Sequence, residues 1–139
     1  MERIAAKVGT IFIPVMQLAR SMEWYKEMFD LNVLDQKEDR IFMQFPQGET
    51  AIVLWKVEKP QPVYFETGKH KMHYWNFDSY DIESSYRQLV AKGVTVTELV
   101  YEEEHGHRFF DAYDPDGNIV NIVEVYESNA YYDHKQTIR

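Results

Sequence analysis

The sequence predicts an α+β fold made of two similar β-α-β-β-β modules. Two helical periods, the same order of strand-like runs around each, and one hairpin turn per half carry that prediction. In the first period Leu18, Met22, Tyr25, Met28 and Phe29 recur every three or four positions. In the second, Ile82, Tyr86, Leu89 and Val90 do the same. Each set makes one apolar stripe, the pattern of a helix laid on a sheet. Asp81 is suited to cap the second helix and Gly93 to stop it. Ile82 stands 64 positions after Leu18, close to half of the 139 residues.

Each helix follows a strand-like run, residues 8–15 in the first half and 72–78 in the second. Three more runs follow each helix: 32–37, 40–45 and 50–57, then 94–101, 108–113 and 119–126. Pro46-Gln47-Gly48-Glu49 and Pro115-Asp116-Gly117-Asn118 separate the last two runs of each half. Both read as hairpin turns in which Gly supplies a positive φ. Pro60 and Pro62 interrupt any ladder and mark a linker. The expected layout is one domain, with module one at 7–57, linker at 58–69, module two at 70–127 and a tail at 128–139.

Composition narrows the function. Hydrophobic residues make up 45% of the chain and aromatics 15%, enough for one core. No apolar run approaches the ~20 residues of a membrane helix. Residues 1–6 lack the apolar stretch of a secretory signal, so a cytoplasmic address is expected. With no cysteine, disulfides, thiolate chemistry and sulfur-bound zinc are excluded. A net charge of −8 speaks against nucleic acid, which needs clustered Lys and Arg. The same charge would favour a cationic ligand, or simply keep the protein soluble.

Three stretches resemble the vicinal-oxygen-chelate superfamily, which includes glyoxalase I, bleomycin-resistance proteins, extradiol dioxygenases and fosfomycin-resistance enzymes. Val15-Met16-Gln17-Leu18-Ala19-Arg20-Ser21-Met22-Glu23-Trp24-Tyr25 is similar to that family's first strand-to-helix passage. Asp81-Ile82-Glu83 through Ala91-Lys92-Gly93-Val94 resembles its second helix and exit. Gly106-His107-Arg108-Phe109-Phe110, followed by Asp114-Pro115-Asp116-Gly117-Asn118, resembles its last hairpin. The resemblance implies curved mixed sheets enclosing a cavity, helices outside, and a homodimer.

Alternation sorts the strand faces. Ile11, Ile13 and Val15 suit the helix side, leaving Thr10, Phe12 and Pro14 toward the cavity. Tyr74, Asn76 and Asp78 share one face; His73, Trp75 and Phe77 share the other, which alternation puts toward the helix. Val120 and Ile122 suit the helix side, so Asn121 faces the cavity. Metal-using relatives place His, Glu or Gln at four cavity positions. Carried over singly, these fall on Thr10, on the run Ile52-Val53-Leu54-Trp55, on Tyr74 and on Asn121. None is a good ligand for a divalent ion, so no metal and no cofactor are expected. A one-residue slip would bring in His73 and leave the other three positions unfilled.

The candidate ligand-binding residues are therefore Phe12, Trp55, Tyr74, Asn76, His105, Arg108, Phe110 and Asn121. Aromatic walls with a few amide anchors describe a pocket for a small organic molecule. The same aromatics would equally pack a core, since 3 Trp, 10 Tyr and 8 Phe must mostly be buried. His105-Gly106-His107, after Glu102-Glu103-Glu104, reads as a polar hairpin loop or as a ligand cluster at the cavity mouth. The preferred expectation is a metal-independent binder of a planar or cationic molecule, of the bleomycin-resistance type. Two others stay open: a glyoxalase- or dioxygenase-like enzyme with a rearranged metal site using His73, His105 or His107, and a dimeric module with a vestigial pocket.

Overall fold

The computed structural model describes residues 3–104 and 106–126. His105 and the expected tail from residue 128 lie outside the described residues. The elements run β1 (Thr10–Val15), α1 (Leu18–Phe29), β2 (Asn32–Gln36), β3 (Arg40–Gln44), β4 (Ala51–Lys56), β5 (Phe65–Glu66), β6 (Lys71–Met72), β7 (Asn76–Ser79), α2 (Ile82–Ala91), β8 (Val100–Glu102), β9 (His107–Tyr113) and β10 (Ile119–Glu124). The expected α+β class and β-α-β-β-β order are both present. No helix among the described residues is long and apolar enough to cross a membrane.

The chain divides into two compact units. The first holds the described residues up to Val63 together with Asp114–Asn118; the second holds Tyr64–Tyr113 and the described residues from Ile119. In the first unit the sheet order is β1-β4-β3-β2. β1 and β4 are parallel, and the other pairs are antiparallel. Ile13, Val15, Ile41, Met43, Ile52 and Leu54 are buried, and so are Ser21 and Tyr25 of α1. Buried Tyr25 belongs to the apolar stripe; Ser21 does not, and its burial has a polar cause described below. Asp30 ends α1 in the left-handed region at φ 56, with its N–H on Lys26 O.

In the second unit the order is β7-β10-β9-β8, with β7 and β10 parallel. Asp81 caps α2 as expected: its carboxylate accepts from Ser84 N at 3.1 Å. Gly93 sits at φ 80, with Gly93 N on Val90 O and Val94 N on Leu89 O. That pair of bonds is the Schellman closure, and it needs the conformation only Gly adopts freely.

Three details depart from the sequence reading. The run 72–78 is not one strand. Lys71–Met72 pairs with Phe65–Glu66 in a small hairpin, the chain bends at Tyr74, and β7 begins only at Asn76. The run 94–101 shrinks to β8 plus a single bridge from Val96 to Ala112. There the Thr97 hydroxyl takes Asp111 N at 2.9 Å, so a side chain replaces part of the ladder. In the first hairpin Gly48 does not take a positive φ. Gln47 N and Gly48 N both donate to Phe45 O at 2.9 Å. What the site asks of Gly48 is closeness, because a Cβ there would stand 3.2 Å from Phe45 Cβ.

The second hairpin turn does more than reverse the chain. Asp114 is buried, and its carboxylate accepts four bonds: Asp116 N and Asn118 N at 2.9 Å, Asn118 Nδ2 at 2.8 Å and Tyr25 Oη at 2.7 Å. Gly117, at φ 84, lets the loop curl over that carboxylate. Asn118 also donates to Pro14 O at 3.0 Å and accepts from Val63 N at 2.7 Å. Asp116 accepts from Met16 N at 3.1 Å, Arg20 at 2.9 Å and Ser21 Oγ at 3.3 Å. It thereby serves the start of α1, where Gln17 makes no side-chain cap. Burial, then the neighbouring Asp114 charge, holds the Tyr25 phenol well above its ordinary value. Burial also raises Asp114, against the pull of its hydrogen bonds.

Tyr25→Phe leaves the buried carboxylate with three donors, a loss expected to be about 1.5–3 kcal/mol for a bond to a charged group. Asn118→Ala removes all three partners of the amide and is expected to destabilise more than Tyr25→Phe. Urea unfolding of the two variants beside the parent checks both the sizes and their order.

Candidate functional site

Each sheet has one face against its helix and one face away from it; the latter is here the far face. Register fixes which side chains share the far face of the first sheet. Phe12 lies beside Val53, which lies beside Phe42. Pro14 lies beside Trp55, which lies beside Arg40. Phe12 is 57% exposed and Trp55 38%. Their rings stand 6.0 Å apart. The Arg40 guanidinium lies 4.7 Å over the Trp55 ring and 5.8 Å from Phe42, and it pairs with Asp39 at 2.6 Å. The two rings are tilted 56° to each other, so this is an exposed aromatic pair with one cation stacked on Trp55.

On the second sheet, Phe77, Ile122 and Phe110 form one row across β7, β10 and β9, under α2. The adjacent row is Asn76, Asn121 and Asp111, on the far face. Asn121 is 3% exposed. Its Nδ2 donates to Asp111 Oδ1 at 2.9 Å and weakly to Phe110 O at 3.5 Å. Both partners are acceptors, so the amide orientation is set. Asp78 stands two residues on from Asn76 on the same exposed side. Loss of water raises its carboxyl above the usual range.

His73 lies in the bend before β7, where alternation breaks. It is half-buried there, and the Asp111 charge acts on it. Burial lowers its imidazole from 6.5, and Asp111 pulls partly the other way. The ring is thus neutral at neutral pH.

The other expected residues fall as follows. Tyr74, 63% exposed, meets Phe65 edge-on at 5.3 Å. Phe110 is fully buried, with its ring 5.0 Å from Tyr86 of α2, and Phe109 takes the far face instead. Arg108 shares Phe110's side of β9. Its guanidinium binds Glu124 at 2.9 and 3.2 Å and Glu83 of α2 at 2.8 Å. Those carboxylates raise it further above its ordinary value. His107 Nδ1 meets Glu124 O at 2.8 Å. Trp75 Nε1 is the one buried side-chain polar atom without a partner among the described residues. Asp111 and Arg40 were missed by the sequence reading. The signal for Asp111 was present, because pairing across the turn 114–118 puts it opposite Asn121.

The four metal positions do not fit an ion. Thr10, the β4 run and Tyr74 supply no strong donor, and the Asn121 amide is tied to Asp111. Among the described residues no three His, Cys, Asp or Glu side chains come together as a ligand set.

The sequence profile of the Glyoxalase/Bleomycin resistance protein/Dioxygenase superfamily matches residues 7–122. Among solved structures, the chain is similar to TnmS3, described as an antibiotic binding protein, from Streptomyces sp. CB03234. The identity is 15%, over 88% of this chain and 98% of that one, with a TM-score of 0.72. It is similar to a lactoylglutathione lyase from Agrobacterium tumefaciens at 14% identity, over 88% and 96%, with a TM-score of 0.69. A superfamily member from Sphaerobacter thermophilus DSM 20745 is 23% identical over 88% and 99%, with a TM-score of 0.70. At these identities the likeness concerns the fold alone. No curated protein matches the chain.

The His73 environment yields a titration test. By NMR, His73 is expected to titrate below 6.5, and Asp111→Asn to move the midpoint further down, because it removes the one opposing charge. The unfolded chain takes up the proton first as pH falls through 6.5. The His73 contribution to stability is therefore lost below that pH and retained above it.

Proposed function

Because the chain belongs to the Glyoxalase/Bleomycin resistance protein/Dioxygenase superfamily, we propose that it binds a small planar organic molecule without a metal ion. The observation that carries this reading is the exposed pair Phe12 and Trp55 with Arg40 stacked over Trp55. Large aromatic rings left 57% and 38% exposed on one sheet face are costly to hydrate, and they recover that cost by stacking on a ligand. The poor donor set at the four metal positions supports binding without chelation. TnmS3, with the same fold, is described as an antibiotic binding protein, which makes sequestration of an organic molecule a fitting role. A homodimer is part of this reading, on the precedent of two-module members of the family.

A thermal-shift screen of planar aromatic compounds tests the proposal, since a ligand of the folded state raises the melting temperature by mass action. Phe12→Ala and Trp55→Ala are each expected to weaken a hit about tenfold, the worth of one lost stacking contact. Both should leave the unliganded melting temperature near the parent's, because both rings are substantially exposed. Chelator should not alter the shift. Stoichiometric, tightly held divalent metal in the purified protein, or a shift abolished by chelator, would overturn the reading.

A further inference from the structure

The far face of the second sheet has an unusual hydrogen-bond balance. Asn121 has its Nδ2 fully engaged, on Asp111 Oδ1 and Phe110 O. Its Oδ1 has no partner among the described residues, although the residue is only 3% exposed. Asp111 spends Oδ1 on that amide and leaves Oδ2 without a partner among the described residues. The same row carries Asn76, and Asp78 follows two residues along β7. So Asn121 and Asp111 present acceptors on neighbouring strands, which lie about 4.8 Å apart.

Among the described residues of β7, β9 and β10 the only Lys or Arg is Arg108, and it stands on the helix side, held by Glu83 and Glu124. Burial lowers the His73 imidazole below its ordinary 6.5, which favours its neutral form at neutral pH. A bound metal ion would need further ligands, and among the described residues no three His, Asp or Glu side chains come together. Acceptors fixed in place, one of them charged and unaccompanied by donors, call for a partner that brings several N–H groups and a delocalised positive charge.

We propose that the Asn121–Asp111 row is a subsite for an organic cation with a planar fork of N–H donors, an amidinium or guanidinium group. Asp111 Oδ2 takes one N–H in a charge-assisted bond, and Asn121 Oδ1 takes another. Asn76 completes the row from β7. The Asn121 amide does not need to turn on binding, because Asp111 already orients it. The inference rests on the reading above in one respect, that the ligand is organic and bound without a metal.

Benzamidinium and benzamide are the probes: near-isosteric, planar and differing in charge and donor count. Isothermal titration of the intact protein is expected to give at least about tenfold tighter binding of benzamidinium, the worth of one charge-assisted bond. Asp111→Asn preserves an acceptor for Asn121 but removes the charge; it should abolish that preference. Glu38→Gln, the same charge change on the exposed β2–β3 turn, should leave both unchanged. In the parent protein, the NMR signals of the Asn121 side-chain NH2 should shift on titration with benzamidinium. Equal binding of the two probes, no binding of benzamidinium at millimolar concentration, equal losses in the two variants, or unmoved Asn121 signals would each overturn the subsite. The planar-ligand reading fails separately, if no aromatic compound of the screen responds to Phe12→Ala or Trp55→Ala.

Discussion

The buried Asp114 carboxylate is the constraint on which much else depends. A charge out of water persists only when its oxygens are saturated with donors, and Asp114 gathers four. Two come from the backbone of its own loop, which sets the loop's shape. That shape sets the register of β9 on β10, and register decides everything beyond the turn. With Ile119 opposite Tyr113, Asn121 falls opposite Asp111 and Ile122 opposite Phe110. A one-residue slip would exchange the faces, sending the amide under α2 and the apolar row away from it. The polar row therefore exists because a turn several residues away is locked.

The same loop explains why α1 starts where it does. Gln17 offers no side-chain cap, yet the helix begins cleanly at Leu18. Asp116 does a capping residue's work from a distant part of the sequence, through Met16 N, Ser21 Oγ and Arg20. Its negative charge is also favourable beside a helix N-terminus. Ser21 thus counts among the fully buried residues of α1 for a polar reason, which an apolar stripe does not reveal.

Periodicity and turn chemistry made the fold legible in the sequence. Both helices, the caps of α2 at Asp81 and Gly93, and the order of elements follow from local pattern, and local pattern is what the chain prints in its residues. What stayed hidden depends on pairing. Phe109 and Phe110 are both aromatic, so no alternation rule could say which one faces the helix; only the partner strand decides. The break at Tyr74 was hidden because residues 72–78 look uniformly strand-like, while Met72 is drawn off into a hairpin with Phe65. That break takes His73 out of regular strand alternation. The site was legible at Phe12, Trp55, Asn76 and Asn121, where strands are regular. It was illegible at Asp111, which a sequence reader passes over as one more acid in a chain of net charge −8.

Asn121 shows how one side chain redirects a site. A carboxylate there would repel Asp111 across the strand pair unless a cation or a shared proton held the two together. An amide reverses that relation: its NH2 satisfies one Asp111 oxygen and leaves its own carbonyl without a partner among the described residues. The pair is then stable without an ion, and the residual acceptors point to donors rather than to a metal. His73 fits the same logic. Were it charged at neutral pH, it would cancel Asp111 and remove the field that an organic cation would feel. Burial lowers its pKa and so favours the neutral imidazole further.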